Sequence, residues 1–155
     1  MRVAGCGLRK VPFVVQRLRG AGAFGEKRNK GMVEELFEFE KLRVYQKALE
    51  FIDKVYMITK LFPKEERFGL IDQFRRASVS IALNISEGSG GTKTEFKHFL
   101  IIARRSVREC VAVVEVSFRQ QYLASETKRD LRSDCADLSR MITGLLKSIS
   151  PNDER

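Results

Sequence analysis

The sequence predicts an all-α protein that folds as an antiparallel up-down-up-down four-helix bundle. Apolar residues recur at steps of three and four along four long segments between Phe39 and Ile149, which is the period of an amphipathic helix. Only short stretches separate these segments, so consecutive helices are expected to lie side by side in opposite directions. No segment shows the pattern of a strand. With 155 residues, the chain is long enough for one domain with a single core.

The first predicted helix begins at Phe39 and ends where Pro63 breaks the pattern. Its apolar stripe consists of Tyr45, Ala48, Ile52, Val55, Thr59 and Phe62, widened by Phe51 and Ile58. Pro63 is expected to open the second helix. Proline lacks a backbone N–H, and residues in the first turn of a helix do not use theirs for an intrahelical hydrogen bond. Glu65 and Glu66 suit the positive end of that helix.

The second predicted helix runs from Pro63 to about Glu87 and carries two stripes. The apolar stripe consists of Leu70, Phe74, Ala77, Ile81 and Ile85. Beside it lies a polar ladder of Gln73, Arg76, Ser80, Asn84 and Glu87. Because the small residues Ser78 and Ala82 let another helix come close, we predict that this helix is buried on more than one side. The ladder is then expected to hold it in register, within the subunit or between subunits.

The third predicted helix follows the glycine-rich loop 88–91, in which Gly88 is expected to be the C′ residue of the second helix. The loop lacks the Gly-Lys-Ser/Thr ending of a phosphate-binding loop, so a plain turn is the favoured interpretation. Thr92 and Glu95 form a capping box that starts the helix, which is predicted to end near Tyr122. Its core stripe consists of Phe96, Phe99, Ala103, Val107, Cys110, Val114 and Phe118.

The fourth predicted helix is capped by Ser125 and closed by Pro151. Its stripe consists of Leu131, Cys135, Leu138, Ile142, Leu145 and Ile149. Cys110 and Cys135 fall on apolar stripes and are expected to be buried. Together with Cys6 they form no Cys-x-x-Cys pair, which favours a reducing compartment, so we expect a cytoplasmic protein. No apolar run approaches the roughly 18 residues of a membrane span.

The net charge of +9 is unevenly distributed along the chain. Residues 1–31 hold eight Lys and Arg and one acid, which leaves a charge of only +2 for residues 32–155. We therefore predict a four-helix-bundle domain over 32–155, preceded by a basic and disordered extension over 1–31. A second hypothesis is that residues 1–31 are an artefact of the choice of translation start site. Residues 26–31 can be encoded almost entirely by purines, like a bacterial ribosome-binding site, and Met32 follows.

Catalysis has little support in the sequence. His98 is the single histidine, and no nucleophile turn accompanies it. Glu95 and His98 form one Glu-x-x-His pair, whereas a di-metal bundle site needs two such pairs. We predict no enzymatic activity, no metal or cofactor, and no small-molecule substrate.

Binding of RNA or DNA rests on basic residues of the predicted helices. The candidate residues are Arg75, Lys97, Arg104, Arg105 and Arg108. Lys97, Arg104 and Arg108 share one face of the third helix by their spacing. The alternative is a structural or adaptor oligomer that docks a protein partner, which the nearly neutral charge of residues 32–155 favours. In that case Arg76 is expected to pair with Glu87 or Glu66 and the other arginines to be solvated.

One family has a closely similar pattern of residues. The shared pattern is Leu42-x-Val44-Tyr45-x-x-Ala48, then Phe62-Pro63-x-x-Glu66-x-Phe68-Gly69-Leu70-x-x-Gln73-Phe74-Arg75-Arg76-Ala77-Ser78-x-Ser80-Ile81-x-x-Asn84-Ile85-x-Glu87-Gly88, then Glu95-Phe96-x-x-Phe99-Leu100-x-Ile102-Ala103-x-x-Ser106-x-x-Glu109. Over residues 39–149 the chain resembles the bacterial four-helix-bundle family of 23S rRNA intervening-sequence proteins. The resemblance implies a ring-like homopentamer but no known activity, and one relative is a nucleic-acid-binding accessory protein of retroelements. The family often has glycine where this chain has Arg105.

Overall fold

The computed structural model describes residues 37–149, and all regular structure within that range is helical. Four long helices are α1 (Arg43–Thr59), α2 (Leu70–Ser89), α3 (Lys93–Arg119) and α4 (Ser125–Ile149). Short 3₁₀ helices at Glu38–Lys41 and Lys64–Phe68 precede α1 and α2. The predicted all-α antiparallel bundle is confirmed. The predictions for residues 1–31 and for Pro151 lie outside the described range.

Each helix packs on its two neighbours, in the order α1, α2, α3, α4 around the bundle. The helices α2 and α4 therefore lie diagonally opposite each other, and their outer faces point to opposite sides of the subunit. Because alternate helices of an up-down bundle run in the same direction, α2 and α4 are parallel.

The core consists of the predicted apolar stripes. Phe51, Phe74, Leu100 and Leu138 are almost fully buried. Cys110 and Cys135 are buried free thiols, as predicted, and burial raises the pKa of Cys135 to about 12. Burial also raises the pKa of Cys110, so both thiols are protonated at neutral pH.

The prediction that Pro63 opens the second long helix is wrong. A 3₁₀ turn follows Pro63, and α2 begins only after Gly69. Glu66 Oε2 accepts a hydrogen bond from the Leu70 N–H at 3.1 Å, so this carboxylate caps α2. A Cβ atom on Gly69 would lie 2.7 Å from the same oxygen, so glycine leaves room for the cap.

The predicted C′ position of Gly88 is also wrong, because this residue is buried inside α2. A Cβ atom there would lie 2.7 Å from Phe99 Cβ and 2.9 Å from Phe96 Cδ2. Glycine is therefore needed for the close approach of α3 rather than for ending α2.

The start of α3 confirms the capping box. Thr92 N–H donates to Glu95 Oε2 at 2.7 Å, and Glu95 N–H donates to Thr92 Oγ1 at 3.3 Å. The helix ends at Arg119, one turn earlier than predicted. Ser125 is the first helical residue of α4 rather than its cap.

Candidate nucleic-acid interface and the α1/α2 groove

Three arginines lie on the solvent side of α3. Ala103 and Val107 face the core, so helical geometry directs Arg104, Arg105 and Arg108 outward. Arg105 and Arg108 are exposed, and Arg104 is half-buried. None of the three forms an ion pair with any residue between 37 and 149. Their guanidinium groups are therefore available to an external anion.

The positive charge continues onto α4 around Glu115. This carboxylate accepts a hydrogen bond from Lys128 Nζ at 2.8 Å and lies 3.3 Å from Arg119 Nε and 3.9 Å from Arg132 Nη1. The hydrogen bond from Lys128, followed by that from Arg119, holds the pKa of Glu115 below its usual range. One carboxylate thus faces three cations, which leaves a surplus of positive charge.

These residues form one basic surface, which we define as Arg104, Arg105, Arg108, Lys128 and Arg132. Arg108 and Glu115 are two helical turns apart and lie on one side of α3, which connects the two groups. Sequence reasoning missed the α4 contribution, because α4 carries nearly equal numbers of acids and bases. The four-residue spacing of Lys128 and Arg132 places both on one face of α4 and is the sequence feature that indicates this contribution.

The other two predicted nucleic-acid residues lie in different places. Lys97 is half-buried on α3, two turns before Arg104 and on the same side. Arg75 belongs to α2 and faces α1, where its Nε donates to Thr59 Oγ1 at 2.8 Å. Its guanidinium lies over the Tyr56 ring, 4.7 Å from the centroid. The structure therefore separates Arg75 from the basic surface, and its role in binding stays a prediction.

The uncharged members of the polar ladder bond within the subunit. Gln73 bonds to Glu109 of α3, and the hydroxyls of Ser80 and Ser106 are 2.9 Å apart. The Asn84 amide donates to the Ser80 carbonyl at 2.7 Å. The first two contacts join α2 to α3, whereas the Asn84 bond lies within α2.

The charged members of the ladder are exposed in the subunit. The Arg76 side chain is 76% exposed, and its one ion pair among residues 37–149 is a 3.7 Å contact with Asp72. Glu87 is exposed and has no ion pair among the described residues. Glu66, an expected partner of Arg76, instead accepts hydrogen bonds from Leu70 N–H and from the Tyr122 hydroxyl at 3.2 Å.

A groove lies along the outer face of α2, bordered on the α1 side by Tyr56. Its volume is about 620 Å³. We call it the α1/α2 groove, and its lining residues are Tyr56, Asp72, Arg75, Arg76, Val79, Ser80, Leu83, Asn84 and Glu87. Leu83 is 59% exposed there, beside the partly exposed ring of Tyr56. The groove thus combines an apolar centre with charges of both signs.

The described part of the chain holds no cluster of potential metal ligands. His98 is exposed and lies edge-on to the Phe99 ring. Between residues 37 and 149, no three His, Cys, Asp or Glu side chains are grouped so as to hold a metal ion. Within the same range, none of the helices has the length and hydropathy that crossing a membrane requires.

Comparison with known families agrees with this architecture. Residues 40–144 match the family described as 23S rRNA-intervening sequence protein. The chain belongs to this family. The matched region of this chain contains the whole basic surface and the whole α1/α2 groove.

One solved structure shows the same fold. It is the crystal structure of a protein of unknown function from the S23 ribosomal protein family of Bacteroides thetaiotaomicron. The two chains are 24% identical with a TM-score of 0.63, and the match covers 67% of this chain and 95% of the other. No curated protein matches this intervening-sequence protein. Neither the family nor the Bacteroides protein is described by an enzymatic activity.

Proposed function

We propose that this intervening-sequence protein is a non-enzymatic homo-oligomer, a ring of five subunits, that binds the backbone of RNA or DNA through its basic surface. The observation that carries the proposal is that Arg104, Arg105 and Arg108 have no acidic partner between residues 37 and 149. Arginine pairs with phosphate through two parallel hydrogen bonds, so free guanidinium groups on one face favour a polyphosphate ligand. The unpaired thiols Cys110 and Cys135 support a cytoplasmic location.

Binding is expected to depend on charge rather than on base sequence. The half-buried ring of Phe118 adjoins the basic surface, but Lys128 Nζ covers it at 4.0 Å from the centroid, and contacts to phosphate carry no sequence information. Five copies of the surface would multiply the number of phosphate contacts, and affinity grows with that number.

A charge-loss variant tests this proposal. Full-length protein with Arg104, Arg105 and Arg108 all changed to Gln is titrated against fluorescent single-stranded RNA and DNA, and anisotropy is measured. A matched variant loses the same charge at Lys60, Lys64 and Arg67, which are exposed at the turn between α1 and α2. We expect the first variant to bind at least tenfold more weakly and the second to bind like the wild type. Equal affinities of the two variants would contradict the proposal.

A second function, docking of a protein partner, has one observation in its favour. Phe68 is 90% exposed and Leu61 is 83% exposed, both in the turn between α1 and α2. Exposed apolar groups of this size are typical of protein-binding surfaces. Absence of RNA and DNA binding by the wild-type protein would favour this alternative.

A further inference from the structure

The acid beside the basic surface, Glu115, points to a control of nucleic-acid binding. We propose that its carboxylate competes with phosphate for the cations around it and so limits the affinity of the basic surface for RNA or DNA. The inference rests on the proposed function and assigns a regulating residue to that same surface.

The basic surface consists of an open part and a closed part. The open part is formed by Arg104, Arg105 and Arg108, which have no ion pair between residues 37 and 149. The closed part is formed by Lys128 and Arg132, whose charges are offset by a carboxylate of the protein itself. A nucleic acid therefore meets free guanidinium groups on the open part but must displace an anion on the closed part.

The two oxygens of Glu115 contact different cations. Oε2 lies 2.8 Å from Lys128 Nζ and 3.9 Å from Arg132 Nη1. Oε1 accepts a hydrogen bond from Arg119 Nε at 3.3 Å. Three cations from the end of α3 and the beginning of α4 thus converge on one anion. A phosphate group accepts hydrogen bonds from the same donors, so a bound nucleic acid and Glu115 compete for them.

The other acids of the exposed side of α4 lie away from this contact. Glu126 and Asp130 are each two residues from Lys128 in the sequence, and an α-helix turns by about 100° per residue. Both carboxylates therefore lie about half a turn from Lys128, on the opposite side of α4. Asp137 lies on that side too and forms its ion pair within α4. Glu115 is thus the acid that sets how far the closed part is neutralised.

A nucleic acid can reach the closed part while the bundle stays folded. Arg119 and Arg132 are exposed, and Glu115 is partly exposed. Ala112 is also exposed and lies between the two parts, about one turn before Glu115 on the same side of α3. Its small side chain leaves room for a phosphate backbone that passes from the open part to the closed part.

The competition weakens binding because Glu115 belongs to the same fold as the cations. Its carboxylate is always beside them, at a high effective concentration. A phosphate must first release these contacts, which lowers its net affinity. Glutamine has nearly the shape of glutamate without the charge, so Glu115→Gln should free the cations and strengthen binding. Since the contact with Lys128 also joins α3 to α4, the same substitution should lower stability while it raises affinity.

Anisotropy titrations with fluorescent single-stranded RNA test the inference. The full-length wild type is compared with Glu115→Gln, Lys128→Gln, the double variant and Glu126→Gln, after thermal melts verify that each is folded at the assay temperature. We expect Glu115→Gln to bind at least fivefold more tightly. Glu126→Gln makes the same change in net charge on the opposite side of α4 and should change the affinity less than twofold.

The double variant tests whether the gain comes from the released cations. The loss of affinity caused by Lys128→Gln should be at least threefold larger in the Glu115→Gln background than in the wild type, because Lys128 is fully available to phosphate only without the carboxylate. Equal losses in the two backgrounds would contradict the competition.

The possible results separate the inference from the proposed function. Absence of RNA binding by both the wild type and Glu115→Gln would overturn the proposed function, and with it the inference. A wild type that binds RNA, with equal gains in Glu115→Gln and Glu126→Gln, would overturn only the inference, because affinity would then follow net charge. Weaker binding by Glu115→Gln than by the wild type would also overturn it, since Glu115 would then position the cations for phosphate.

Discussion

Lys47 Nζ of α1 lies 3.2 Å from Asp134 Oδ1 of α4, and the other oxygen of this carboxylate contacts Lys54. The Asp134 side chain is only 12% exposed. The hydrogen bond to Asp134 is the largest cause that raises the pKa of Lys47. A charged cluster therefore joins the first and last helices of the bundle, where the pattern of apolar stripes predicts only hydrophobic contact.

Asp134→Asn should destabilise the bundle because two lysines lose their partner. Both lysines can still reach water, so we expect a loss of about 1–2 kcal/mol in the free energy of unfolding rather than the larger penalty of a fully buried pair. Urea unfolding of the variant and the wild type measures this loss of free energy. The control is Asp137→Asn, which removes only an ion pair to Arg140 within α4 and should cost less than about 0.5 kcal/mol. Equal losses in the two variants would contradict the role of Asp134.

The surroundings of Glu115 predict a dependence of stability on acid pH. The pKa of Glu115 is lowered in the folded state, mainly by the hydrogen bond from Lys128. The charged carboxylate therefore stabilises the folded protein at neutral pH. This stabilisation by Glu115 is lost as the pH falls from the usual pKa of a glutamate through the lower pKa that Glu115 has in the folded state. Thermal melts should therefore show Glu115→Gln less stable than wild type at pH 7, with the difference vanishing in acid. Glu126→Gln removes a carboxylate without an ion pair in residues 37–149 and should show no such trend.

Two glycines predict opposite effects of the same substitution. Gly88→Ala should destabilise the protein by about 1–3 kcal/mol, because the new methyl group overlaps the side chains of Phe96 and Phe99. Gly144→Ala should stabilise α4 by up to about 1 kcal/mol, because its methyl group enters open space. Urea unfolding of both variants measures the difference. A stabilising Gly88→Ala would contradict the close approach of α2 and α3.

Removal of residues 1–31 should leave the fold intact. Within the described residues 37–149, four long helices already enclose a continuous hydrophobic core. We expect the truncated protein to melt cooperatively and to keep its helical circular dichroism spectrum. Loss of cooperative melting would show that the basic extension contributes to the core.

The fold could be predicted from the sequence because each helix carries an unbroken apolar stripe, which fixes its buried face. The role of Gly88 could not be predicted, because a glycine near a helix end fits a C′ position as well as a close contact with another helix. That contact depends on where Phe96 and Phe99 of α3 lie, which only the packed structure shows.

The candidate site was predicted in part for a similar reason. Helical spacing places Lys97, Arg104 and Arg108 on one side of α3, and the structure agrees. Spacing cannot tell which side of α4 adjoins α3, so Lys128 and Arg132 were not recognised. Nor does spacing alone show that Arg75 bonds to Thr59 of α1, away from the other arginines.

The dependence of RNA affinity on salt tests the central claim most directly. The dissociation constant of the full-length protein for single-stranded RNA is measured between about 50 and 200 mM salt, a range over which phosphate contacts weaken strongly. Binding through phosphate contacts predicts that the logarithm of the affinity falls linearly with the logarithm of the salt concentration. Each lost phosphate contact lowers that slope by about 0.7, so changing Arg104, Arg105 and Arg108 to Gln should lower it by about 2. A slope that is the same with and without these arginines, or no binding at the lowest salt, would contradict the account.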